Sequence, residues 1–188
     1  MIAKVDTNLN FDRLTNCYVA GGSNATLKVG KDMGNVNLWL NDTSVSRHGT
    51  MFYGDFKEIN ALYANGSNTL VGNTSENLII GGTGQNSIWG GAGSANDTLV
   101  GGAGRNEFFF CAGNGHDVIS FAHSGDVVNM YEVTLDQVTK AQITSSGVSV
   151  ELTDGSKLDI QSKDIVEYRL ADGSAWTANH IDKTWNKK

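Results

Sequence analysis

A short repeat between residues 66 and 120 restricts what this chain can fold into more than any other feature. Gly81-Gly82-Thr83-Gly84-Gln85-Asn86-Ser87-Ile88-Trp89 is its cleanest copy, and Gly101-Gly102-Ala103-Gly104-Arg105-Asn106-Glu107-Phe108-Phe109 matches it position by position. Weaker units begin at Gly66 and Gly72. A longer one runs from Gly90 to Val100, and the last, Ala112 to Ser120, ends in Asp117-Val118-Ile119. A fixed short period of this kind marks a solenoid, in which each unit is one supersecondary element stacked on the next.

Glycines at the first, second and fourth positions suit the positive-φ backbone of a tight turn. The apolar residue near the end of each unit (Leu70, Ile79, Ile88, Leu99, Phe108, Ile119) is expected to point inward from a very short strand. Two units make one coil, and a single unit cannot bury its own apolar residue, so stacking is obligatory. The predicted fold is all-β, a parallel β-roll or β-solenoid over 66–120. Irregular N-terminal β coils are expected over 1–65 and an antiparallel β-hairpin cap over 121–188.

Outside the repeats, Leu27-Lys28-Val29, Val36 to Leu40 and Met51-Phe52-Tyr53 read as strands, and strand is preferred for Phe56, Ile59 and Leu62. Val148 to Leu152 and Lys157 to Ile160 flank Asp154-Gly155, a strong hairpin signal. Tyr168-Arg169-Leu170, Asp172-Gly173 and Ala175-Trp176 repeat the device, and Leu135 to Lys140 reads as a short helical turn.

The repeats resemble the repeats-in-toxin (RTX) family, whose motif is Gly-Gly-x-Gly-x-Asp-x-apolar-x and which winds into a calcium-loaded parallel β-roll. Gly101 to Ile119 also resembles the family's usual last repeats, with an aromatic strand (Phe108-Phe109-Phe110) before Ala112-Gly113-Asn114-Gly115-His116-Asp117. The resemblance implies calcium as the ligand. It also implies an extracellular or cell-surface location in bacteria, since the family commonly leaves Gram-negative cells by type I secretion. Met1 to Thr7 has no apolar segment of the kind a Sec signal needs.

The chain departs from that pattern at the sixth position, which reads Asn68, Asn77, Asn86, Asp97, Asn106, Asp117. Calcium is a hard cation that prefers charged carboxylates, and Asn offers one neutral oxygen. Repeats two apart stack on one side of a roll. One column is therefore Asn68, Asn86, Asn106, a ladder of hydrogen-bonded amides that needs no ion. The other is Asn77, Asp97, Asp117, where Asp97 and Asp117 face each other as the single expected calcium site. They are 20 residues apart where two nonapeptides take about 18, and Phe110-Cys111 is the extra pair. A carboxylate turned to solvent or to a turn amide is the alternative to calcium there.

Net charge is −6 and charged residues make up 18%, which argues against nucleic acid or an anionic membrane as partner. No apolar run is long enough to span a bilayer. Neither H-E-x-x-H nor G-x-S-x-G occurs, His116 falls at the variable fifth position of its repeat, and His48, His123 and His180 are scattered, so no enzyme is expected. Cys17 and Cys111 read as separate buried thiols. Strand alternation sets Trp89 and Phe109 opposite Ile88 and Phe108, so these two rings are candidates for a subunit interface, and core, cap contact or subunit interface is preferred here to carbohydrate binding. Two functions fit. One is a non-catalytic extracellular RTX-like β-solenoid that assembles with copies of itself into a filament or surface layer. The other is the C-terminal calcium-binding folding and secretion module of a larger RTX exoprotein.

Overall fold

The computed structural model describes residues 2–5, 8–10, 18–21, 25–29, 36–40, 51–54 and 56–188. Among these, the strands form three sheets. The first contains β1 (Ile2–Val5), β3 (Tyr18–Gly21) and β6 (Met51–Gly54), all parallel. The second runs in parallel through β2 (Asn8–Asn10), β4 (Thr26–Lys28), β7 (Glu58–Asn60), β9 (Leu78–Ile80), β11 (Thr98–Val100), β13 (His116–Ser120) and β17 (Lys157–Gln161). The third does the same through β5 (Val36–Trp39), β8 (Asn68–Val71), β10 (Asn86–Trp89), β12 (Asn106–Phe110), β14 (Val127–Met130) and β18 (Glu167–Arg169).

The chain is a solenoid whose cross-section changes. β3–β4–β5 and then β6–β7–β8 visit all three sheets in turn, whereas from β9 onward the chain alternates between the second and third. A three-sided coil separates Thr26 from Glu58 by 32 residues. In the two-sided roll Asn77 and Asp97 are 20 apart. Strand alternation sends one face of each two-sided coil inward, and Leu70, Ile79, Ile88, Leu99, Phe108 and Ile119 are all fully buried. Each such side chain contributes about 1.5–3 kcal/mol of burial relative to exposure, and none can do so without the coil above and below.

Two expectations about the repeat need correction. The step of 20 is not peculiar to Asp97 and Asp117, because it also separates Asn77 from Asp97, Asn86 from Asn106 and Asn106 from Asp126. The step is 18 from Asn68 to Asn86. Phe110 is no turn insertion, since it ends β12 with its ring in the core. The glycines of the two cleanest units also work differently from a positive-φ turn. None of Gly81, Gly82, Gly84, Gly101, Gly102 and Gly104 is left-handed. What they provide is close stacking of one turn on the next: a Cβ on Gly102 would come 1.6 Å from Gly82 O. Within the repeats, positive φ is found at Gly91, Gly93, Gly113 and Gly115, in the longer turns that lead into Asp97 and Asp117.

Parallel pairing continues past residue 120 into β14, β17 and β18. The second and third sheets then close with antiparallel strands. β15 (Val138–Ile143) and β16 (Val148–Leu152) extend the second sheet beyond β17, and β19 (Ala175–Asn179) and β20 (Thr184–Lys187) extend the third beyond β18. Gly155 and Gly173 turn these hairpins with φ of 87° and 81°. The helical turn ahead of them is confined to Leu135–Gln137, and the residues after it join β15. Val150, Leu158 and Tyr168 are buried beneath the hairpins, and Trp185 meets the Tyr168 ring edge-on at 5.2 Å. This end of the roll is thereby covered, as a stack of parallel coils with an open apolar core requires. Cys17 and His48 lie outside the described residues.

Candidate functional site

The sixth positions of the repeats form two interior columns between the sheets. In one, Asn68, Asn86 and Asn106 are aligned in register on β8, β10 and β12. Asn68 Nδ2 donates to Asn86 Oδ1 at 2.9 Å, and Asn86 Nδ2 donates to Asn106 Oδ1 at 2.8 Å. Asn106 Nδ2 then donates to Asp126 Oδ2 at 3.1 Å. The preceding strand offers Val36 beside Asn68, so Asn68 Oδ1 heads the ladder buried and without a partner. Asp126 is a residue that the sequence reading missed. Its signal was present: Asp126-Val127-Val128 follows Asp117-Val118-Ile119 by nine positions but lacks the paired glycines.

The second column holds Asn77, Asp97 and Asp117, all buried. Here the carboxylates bond to the main chain of the coil before them. Asp97 Oδ1 accepts the Asn77 N–H at 2.8 Å, and Asp117 Oδ1 accepts the Asp97 N–H at 2.9 Å. Asp126 does the same in the first column, accepting the Asn106 N–H at 2.7 Å. Where the next coil carries Asn instead, the N–H goes to a backbone carbonyl, as from Asn68 to Gln85 and from Asn86 to Arg105. An aspartate at this position therefore replaces one rung of the sheet ladder with a side chain.

Burial pushes the Asp97 carboxyl up to about 8, against the pull of the Asn77 N–H, with the charges of Asp117 and Glu76 adding to the rise and Lys57 opposing it. Asp117 is pushed up to about 7, again chiefly by burial, while the Asp97 N–H and His116 pull it down. Gly90 makes room for the first of these groups, since a Cβ there would lie 2.1 Å from Asp97 Oδ2. Asp117 Oδ2 is buried with no hydrogen-bond partner. Two adjacent carboxyls with an unspent buried oxygen fit a hard cation, and Asp97 and Asp117 are the residues that would hold calcium. Calcium would supply the positive charge that lets both ionise. Among the described residues no group of three or more His, Cys, Asp and Glu gathers to hold a metal, so backbone carbonyls would have to complete such a shell.

Replacing Asp97 by Asn should abolish calcium-dependent heat in titration calorimetry and leave the far-ultraviolet circular dichroism unchanged. Undiminished calcium heat from that variant would remove the pair from consideration.

Trp89 and Phe109 stand side by side on the outer face of the third sheet, in one row with Trp39 and Val71. Trp39 is 43% exposed, and Trp89 and Phe109 are half-buried. With Cys111 and Tyr131 they line a shallow apolar groove of about 460 Å³. The Cys111 thiol donates to Asn114 Oδ1 at 3.1 Å and is pushed up by burial and by the nearby charges of Glu132, Asp117 and Asp154. His116 Nε2 lies 2.7 Å from Asp159 Oδ2, and Lys157 Nζ holds the same oxygen at 2.8 Å. These three form a surface ion cluster between β13 and β17.

No curated protein matches the chain. Residues 64–95 and 92–121 match the family described as the RTX calcium-binding nonapeptide repeat (4 copies). That match spans the two interior columns and the turns that build them, and the segment from 64 to 121 is a run of RTX calcium-binding nonapeptide repeats.

Proposed function

We propose that this chain is a non-catalytic, extracellular structural solenoid that associates with copies of itself through the outer face of the third sheet, as the unit of a filament or surface layer. The observation that carries this reading is the row Trp39, Val71, Trp89 and Phe109 on adjacent strands, in which Val71 is itself buried between the outward-facing rings of Trp39 and Trp89. Neighbouring strands lie about 4.8 Å apart, so the row is a continuous apolar stripe rather than scattered rings. Contiguous apolar patches of this kind mark interaction surfaces, and a second copy presents an identical stripe, which pairs in an isologous contact to give a closed dimer as the unit that a filament or layer would repeat. A non-catalytic role is favoured because the one imidazole–carboxylate pair among the described residues, His116–Asp159, is spent on Lys157. An extracellular place is favoured by the repeat family.

Light scattering on the wild type should then show an oligomer, and Phe109→Ser should shift it toward monomer with an unchanged melting curve. A monomeric wild type would sink the reading. So would a Phe109→Ser variant that unfolds, because the ring would then belong to the core. The second reading, a calcium-responsive folding module, is favoured by one observation, the unpartnered Asp117 Oδ2. It requires a monomer that binds calcium.

A further inference from the structure

In the amide column the carboxamide nitrogens of Asn86 and Asn106 sit among oxygens that converge on them. Asn86 Nδ2 lies 3.0 Å from Gly82 O, 2.9 Å from Gly84 O and 2.8 Å from Asn106 Oδ1. One coil on, Asn106 Nδ2 lies 3.0 Å from Gly102 O, 2.9 Å from Gly104 O and 3.1 Å from Asp126 Oδ2. The same donor set recurs: two carbonyls of the Gly-Gly-x-Gly turn and one side-chain oxygen of the next coil. An NH₂ group has two protons for these three acceptors. Carbonyl and carboxylate oxygens gathered in this way are the ligand set of a hard divalent cation.

The orientation of the two amides follows from their partners. Asn86 Oδ1 accepts the Gly82 N–H at 2.9 Å and Asn106 Oδ1 accepts the Gly102 N–H at 3.2 Å, while the carbonyls on the other side can only accept. A flipped amide would face oxygen to oxygen. The nitrogen is therefore held at the centre of the oxygens by both ends of its own side chain.

We propose that Asn86 and Asn106 place their carboxamide nitrogens where divalent cations would sit, so that this column of the roll is closed by donors built into the chain and takes no calcium. Its turn carbonyls are not free ligands, because they face the protons of the amide. The same cage becomes a calcium site once the nitrogen is replaced by an oxygen. In Asn106→Asp the new carboxylate, the Asp126 carboxylate, Gly102 O and Gly104 O would surround a position without a donor.

The test uses the full chain as wild type, Asn106→Asp, Asn86→Asp, Asp97→Asn and the double variant Asn106→Asp with Asp97→Asn, which silences the other column. Calcium chloride is the probe, read by titration calorimetry and by melting in calcium against chelator. Asn106→Asp is expected to bind one more calcium than wild type, to melt lower in chelator, and to gain about 5–10 °C at calcium a hundredfold above its Kd. The double variant should keep that extra site. Should Asn106→Asp not fold in chelator, recovery of its β-sheet circular dichroism on adding calcium supports the same conclusion. Asn86→Asp, whose neighbour Asn106 is uncharged, gives the gain without a facing carboxylate. The proposal is overturned if neither variant binds extra calcium, or if both stay unfolded in millimolar calcium. It is equally overturned if Asp97→Asn loses its β structure on chelation, because the amide column would then depend on an ion.

Discussion

Replacing Phe108 by alanine should lower the melting temperature by about 10 °C, whereas Phe109→Ser, one residue further on, leaves the fold in place. Phe108 is fully buried and aligned between Ile88 and Val128 on the neighbouring coils. Deleting such a ring costs about 3–5 kcal/mol, and in a chain of this size each kcal/mol moves the midpoint by roughly 2–4 °C. The coils above and below cannot close the gap, because their spacing is set by the sheet hydrogen bonds. Phe109 points the other way, into the outer groove. Thermal melts of the two variants side by side check the inward and outward faces of β12 in one experiment. Equal losses of stability would show that the outer face is packed as core.

The second large effect is a fall in stability as pH rises, seen only without calcium. In the folded chain Asp97 is raised to about 8 and Asp117 to about 7, from an ordinary value of 3.8. An acid whose folded pKa is raised binds more protons in the native state than in the unfolded one. Its favourable contribution is complete below pH 3.8 and is lost as pH climbs through 7 and 8. At about 1.4 kcal/mol per pKa unit, the two groups together lose several kcal/mol. In chelator the melting temperature should therefore drop between about pH 5 and 9. Calcium competes with the protons for the same oxygens and should flatten the slope, and Asp97→Asn should remove the larger share of it. Glu76 adds to the effect at Asp97 and Lys57 opposes it, as His116 does at Asp117. A melting temperature that holds steady or rises over that range in chelator would show the two carboxyls ionised at no cost.

The roll was legible in the sequence because its signals are local and repeated. Ile88 beside Trp89 and Phe108 beside Phe109 state which side is in and which is out through alternation alone. The two sixth-position columns follow from counting repeats. Other features left no such trace. The three-sided coils return at steps of 32 or 33 residues, across segments that differ in length and composition, so no period marks them. Asp126 was overlooked because Phe121-Ala122-His123-Ser124-Gly125 carries one glycine where a repeat has three, although its Asp-x-apolar ending is intact. The glycines were legible as necessary but not for the right reason. A left-handed turn and a turn stacked against another turn both demand glycine, and only coordinates distinguish them at Gly82 and Gly102. Whether a sixth-position side chain would bond to its neighbour's side chain or to its neighbour's main chain was not readable either. The amides of Asn68, Asn86 and Asn106 donate along their column, whereas Asp97, Asp117 and Asp126 accept the N–H of the coil before.

The change from three walls to two gives the solenoid a head and a tail that do not match. Among the described strands, the first sheet stops at β6, while the second and third run on to β17 and β18. A uniform array of identical coils can be extended at either end by another like it. Among the described strands, the antiparallel hairpins cover the β17 and β18 edges, and the wall formed by β1, β3 and β6 does not reach them. The third sheet is free of that mismatch. Its strands pass without interruption from the three-cornered part to the flat part, carrying Trp39 on one side of the transition and Trp89 and Phe109 on the other. Under the proposed self-association, pairing along that wall would leave both copies equivalent, as a two-fold contact requires.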